Sequence, residues 1–180
     1  MKDFKSYLSC NIESLLKISE ESVKTFTTQL KNTIANDGIL WVAGNGGSAS
    51  TASHLCCDLS KGVSLKNGVP VRAFAFMDQL ATFTAWANDF SFDSALAEMC
   101  TQYLRKQDLF IAISASGNSS NLVNAIKQAK KLKVPTVSLT GFNGGVISSL
   151  TDHNVNVPSD DMQVIENAHL IICHWLFKDL

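Results

Sequence analysis

The sequence predicts an α/β fold built on a parallel sheet covered by helices on both faces. Three observations carry it: short apolar runs that stop at glycine or serine, helical periodicity between those runs, and alternation of the two along the chain. Hydrophobic residues make up 46% of the 180, enough to fill the core of one domain spanning 1–180. An all-helical bundle is the structural alternative, and the glycine-bounded apolar runs weigh against it.

Residues 4–34 read as one long amphipathic helix, with Leu8, Ile12, Leu15, Leu16, Ile18 and Val23 at helical spacings, ended by Asn36-Asp37-Gly38. Ile39 to Ala43 is a short apolar run stopped by glycines, hence a buried strand. Ser48 to Leu59 is helical and Val71 to Phe76 strand-like, followed by helical stretches over Gln79–Ala87 and Phe92–Tyr103. Leu109 to Ile113 is a second buried strand, Leu122 to Leu132 a helix rich in alanine and lysine, and Thr136 to Leu139 a strand ended by Thr140-Gly141. Asn154 to Val157 is the last strand. Asp161 to Phe177 is the closing helix, with Asp160 or Asp161 as its cap.

Composition excludes several classes of function. A formal net charge of -1 argues against a protein held to nucleic acid by phosphate contacts. No apolar run approaches the ~20 residues that span a bilayer, and the first residues lack the apolar segment of a signal peptide. The five cysteines, Cys10, Cys56, Cys57, Cys100 and Cys173, show no CxxC spacing and read as small packing residues in a reducing compartment. A cytoplasmic location is expected. Charged residues are 17%, below the usual quarter, which favours a homo-oligomer that buries part of the surface.

Handed crossovers place the loops after the strands on one edge of the sheet, where open α/β sheets bind ligands. Two such loops stand out. Gly44-Asn45-Gly46-Gly47-Ser48 lets backbone approach an anion at a helix start. Ser114-Ala115-Ser116-Gly117-Asn118-Ser119 offers three hydroxyls and a glycine in the same setting. Singly, either is ordinary turn and capping chemistry. Together, on one edge, they predict a phosphate cradle. The first also resembles the start of a dinucleotide fingerprint, with Ala49 as its third small residue. Asp58 comes too early and Asp78 too late for the ribose carboxylate, and the serine loop has no place in that scheme.

His54 and Asp58 lie four apart on one helix face, and Glu166 and His174 eight apart on the final helix, with His169 between them. A histidine among Leu170, Ile171 and Ile172 is more often a hydrogen-bonded core residue, and a lone Asp58 a solvated carboxylate. Two acid–histidine pairs on two helices are a better signal, because zinc accepts imidazole and carboxylate. Spacing alone leaves such a site open.

The two loops together resemble the sugar isomerase (SIS) domain family. GNGGSASTASH, WANDFSF, ISASGNSSN, VSLTGFNGG and IENAHLIICH, in that order, resemble its phosphoheptose isomerase branch almost end to end. The resemblance implies a three-layer sandwich with a five-stranded parallel sheet. It also implies a homotetramer using residues 1–35 for oligomerisation, with active sites between subunits. It implies aldose–ketose isomerisation of sedoheptulose 7-phosphate, for lipopolysaccharide or capsule heptose. By the same resemblance Ser48, Ser114, Ser116 and Ser119 hold the phosphate, Asn45 lies near the sugar chain and Asp89 contacts sugar hydroxyls. Asp58 stands where the family has a glutamate base, His174 is the acid partner, and Glu166, where the family has glutamine, is the alternative base. His54, Asp58, Glu166 and His174 match positions that hold zinc in many members.

Other departures are Gly62 and Val164 in place of arginines and Ala115 in place of threonine, which mark a divergent branch. Two alternatives come from the same resemblance: a non-catalytic adaptor that binds the bacterial replication initiator, and a phosphosugar sensor. The retained His54, Asp58 and His174 favour the enzyme over the adaptor. No DNA-binding segment accompanies the domain to favour the sensor.

Overall fold

The computed structural model describes residues 3–180. The expected single N-terminal helix is two: α1 (Phe4–Leu15) and α2 (Glu20–Ala35). Beyond Leu15 the ladder tightens, with Lys17 donating to the Ser14 carbonyl and Ile18 to that of Leu15, both at 3.2 Å. Ser19 then starts a new helix, its hydroxyl accepting from the Ser22 N–H at 3.2 Å, with Glu20 and Glu21 in the first turn. The break divides the apolar positions. Leu15, Ile18 and Val23 pack on the core, while Phe4, Leu8, Ile12 and Leu16 form an exposed stripe along α1 at spacings of four.

The sheet has five parallel strands in the order β2-β1-β3-β4-β5: β1 (Leu40–Gly44), β2 (Ala73–Ala75), β3 (Leu109–Ser114), β4 (Thr136–Gly141) and β5 (His153–Val157). Strand alternation divides the core into two layers. Leu40, Val42, Ile111, Val137 and Val155 face α2, α3 (Gly47–Cys57) and α9 (Met162–Asp179). Trp41, Ala43, Phe110 and Ala112 face α5 (Leu80–Asp89), α6 (Phe92–Tyr103), α7 (Ser120–Lys131) and α8 (Gly145–Leu150). A short α4 (Ser64–Asn67) precedes β2. The helix α8 falls where the sequence suggested only a turn. It is a single short cover, and beneath it β4 and β5 are polar: Ser138 and Thr140 donate to Asn154 at 2.7 and 2.9 Å.

Buried thiols at Cys56, Cys100 and Cys173 act as packing residues, whereas Cys10 and Cys57 are exposed. Among the described residues no helix is long and apolar enough to cross a membrane.

His169 is the buried core histidine the sequence suggested, 1% exposed, its Nε2 3.1 Å from the Thr140 carbonyl. Burial lowers its pKa to about 4, so it is neutral and donates from Nε2. An unfolded imidazole protonates near ~6.5, so the unfolded state binds the extra proton below that pH. Full stability is therefore present above ~6.5 and is lost toward pH 4 at about 1.4 kcal/mol per pH unit. Melting curves of wild type and His169→Gln should show a shallower acid decline in the variant; parallel declines would remove His169 as the cause.

Candidate active site

The strand order reverses beside β1: the chain moves outward to β2, then crosses back to β3 on the other side. The C-terminal ends of β1 and β3 therefore stand side by side with no crossover above them, which is where this topology leaves a crevice. Both glycine–serine loops open there. Asn45, Gly46, Gly47, Ser48, Ser114, Ser116 and Ser119 line a cleft of about 330 Å³, closed from α9 by Met162 and Glu166. Every residue expected to hold phosphate is in it.

Local bonds fix the loop shapes. Gly117 takes φ +66, which only glycine adopts without strain, and its N–H donates to Ser114 Oγ at 3.2 Å. Ser116 Oγ accepts from the Asn118 N–H at 3.2 Å, and the hydroxyls of Ser114 and Ser119 are 3.4 Å apart. Asn45 forms a reciprocal amide pair with Asn121, 2.9 Å in each direction, tying the first loop to α7. Asn121 is 1% exposed and also accepts from the Leu122 N–H. Sequence spacing gave no sign of this clamp, because the partners are 76 positions apart.

The second group lies farther along the same helices. His54 Nε2 is 3.3 Å from His174 Nε2 and 3.5 Å from Asp58 Oδ2, which is 4.0 Å from His174 Nε2. Tetrahedral zinc with bonds of about 2.0–2.1 Å places its donor atoms about 3.4 Å apart, so two imidazoles and this carboxylate fit such an ion. Cys173, next to His174, lies outside this group of donors, and burial first, then the charge of Asp58, pushes its thiol up to about 12.

Glu166 does not join this group. Helices α3 and α9 run side by side in the same direction, with Glu166 opposite Gly47 and His174 opposite His54. Seven or eight residues of helix separate the two levels, about 10–12 Å. Within one chain the expected set of four is thus a set of three with Glu166 in the cleft. Asp89 is likewise apart. It closes the exposed end of α5 beside Trp86 and Phe90, in a separate hollow of about 590 Å³.

Asp58 opens a turn that the sequence did not reveal. The α3 ladder passes into a π-helix over Asp58–Val63, a widening common at functional sites. Gly62, where the resemblance has arginine, lies under the Phe177 ring: a Cβ there would fall 2.5 Å from Cε2. Phe177 is three residues after His174, so this contact holds the Asp58 turn against the helix bearing His174. Gly62→Ala should cost about 1–3 kcal/mol in unfolding free energy through overpacking. It should also weaken zinc binding about 10–100-fold by displacing the ligand pair. Adding Phe177→Leu should recover zinc binding measured by titration; unchanged zinc affinity in Gly62→Ala would show that the contact does not position the site.

The sequence matches the SIS domain over residues 3–141. It is 32% identical over 174 residues to a probable phosphoheptose isomerase of Thermoplasma acidophilum, covering 97% of this chain and 95% of that one. It is 35% identical over 172 residues to the phosphoheptose isomerase of Helicobacter pylori strain P12, covering 96% and 87%. Among solved structures, phosphoheptose isomerase GmhA from Neisseria gonorrhoeae superimposes with a TM-score of 0.89 at 27% identity, over 97% of this chain and 95% of that one. A switch-point cleft of serine hydroxyls, an acid–histidine group two helical turns away, and relatives matched nearly end to end agree: the chain belongs to the SIS-domain family, in its phosphoheptose isomerase branch.

Proposed function

We propose that the protein interconverts sedoheptulose 7-phosphate and D-glycero-D-manno-heptose 7-phosphate through an enediol. The observation that carries this reading is the clustering of His54, Asp58 and His174 at 3.3–4.0 Å, two helical turns from a cleft lined by serine hydroxyls. The hydroxyls of Ser48, Ser114, Ser116 and Ser119 and the free N–H groups at the start of α3 hold the phosphate, so binding far from the reacting carbons orients them. Asp58 takes the proton from C1 beside the C2 carbonyl and returns it to C2. His174, in reach of the same carboxylate, passes the oxygen proton from O1 to O2. Zinc held by His54, Asp58 and His174 would polarise the carbonyl and hydroxyl oxygens.

A homotetramer with sites between subunits completes this reading. The exposed stripe Phe4, Leu8, Ile12 and Leu16 on α1 supports burial against a second copy. The separation of Asp89 from both the cleft and the histidine group supports its serving a neighbouring copy's site. On this reading the reaction serves heptose supply for lipopolysaccharide or capsule, in the cytoplasm.

The test is turnover of sedoheptulose 7-phosphate followed by NMR, with chelator and then with added zinc. Metal-dependent formation of the aldoheptose phosphate is expected; no product from a folded protein in either condition would contradict the assignment. His174→Ala should lower kcat by about 10²–10⁴-fold. Its binding of the sugar phosphate should stay within about twofold, because the serine cleft is intact. Full activity in the variant would remove His174 from the mechanism.

A further inference from the structure

The cleft has an unusual charge for a phosphate site. Its serine hydroxyls and Asn45 are neutral, and its one charged lining side chain is the carboxylate of Glu166. Neither position that carries arginine in the resembled family supplies a cation here. Gly62 is packed under Phe177, and Val164 is 1% exposed.

Glu166 also lies against the start of α3. A Cβ built on Gly47 would fall 2.7 Å from Oε1 and 2.7 Å from Oε2, so the carboxylate lies flat on the first residue of α3. That helix has 11 residues, and its opening N–H groups and dipole favour negative charge at this end. Only glycine at position 47 leaves room for the carboxylate there.

Resting on the function proposed above, we infer that Glu166 is a specificity-determining residue: a resident anion that competes with phosphate for the start of α3. Two anions at a few ångströms repel, so an incoming phosphate must displace the carboxylate from Gly47. Inorganic phosphate brings nothing to offset that displacement. A phosphosugar does, because its hydroxyls donate charge-assisted hydrogen bonds to the displaced carboxylate. The cradle thereby rejects free phosphate and admits phosphate carried on a polyhydroxy chain.

The experiment measures binding of inorganic phosphate and of sedoheptulose 7-phosphate to the metal-free protein in chelator, by calorimetry, for wild type and Glu166→Gln. The variant should bind inorganic phosphate about tenfold more tightly, and the sugar phosphate with a smaller gain, so that the preference for the sugar narrows. Equal phosphate affinity in the two proteins, or weaker binding in the variant, overturns the role of Glu166 while leaving the cradle in place. Failure of both proteins to bind either phosphate overturns the cradle and this inference together. Matching melting temperatures for the two proteins establish that the comparison is between folded states.

Discussion

The reversal of strand order beside β1 is the constraint on which the rest depends. Because β2 and β3 flank β1 on opposite sides, no crossover covers the ends of β1 and β3, and the two loops that follow them share one crevice. The loops then need only small residues and hydroxyls to make an anion site. Fixing their shape falls to Gly117, whose positive φ turns the serine loop, and to the Asn45–Asn121 amide pair that ties the first loop to α7. The core on both sides serves the same end. Five parallel strands buried between two helical layers give the loops a stiff base, and loops on rigid strands are where precise binding groups are carried.

Helices α3 and α9 set the second dimension of the site. Packed side by side in one direction, they carry one pair of functional groups at their start and another two turns on. At the first level Gly47 and Glu166 meet in the serine cleft. At the second, His54, Asp58 and His174 converge with the spacing a single divalent ion requires. The π-turn at Asp58–Val63 and the Gly62–Phe177 contact belong to this second level. The shorter aspartate, the missing arginine and the aromatic ring over glycine are thus parts of one local arrangement.

Much of this was legible in the sequence, for reasons that can be named. Buried parallel strands are continuous apolar runs, so β1, β3 and β4 were found within two residues at each end, and the periodic α6 was placed without error. The loops were legible because glycine and serine cluster only where backbone or hydroxyl must face something. Misreadings came where local pattern and tertiary structure diverge. The apolar spacing across residues 4–34 continues through Leu16 and Ile18, yet the helix breaks there, because Ser19 captures the Ser22 N–H. Val71 and Arg72, read as strand, fall before β2, which is only Ala73–Ala75. The π-turn and the Asn45–Asn121 pair leave no periodic signal. Helical spacing placed Glu166 and His174 on a shared face, but it could not say that the 10–12 Å between them would split the expected set of four.

The site proposed above joins a serine cleft and a proton-transfer group on one chain with Asp89 of a neighbouring copy, and subunit complementation tests that most directly. Asp89→Ala, which removes the contact to sugar hydroxyls, and His174→Ala, which removes the proton carrier, should each be nearly inactive alone. Unfolded together and refolded as mixed oligomers, they should regain a measurable fraction of wild-type turnover, because some sites then pair an intact cleft and histidine group on one copy with an intact Asp89 on another. Mixed oligomers with no more activity than either variant alone would contradict sites completed across subunits.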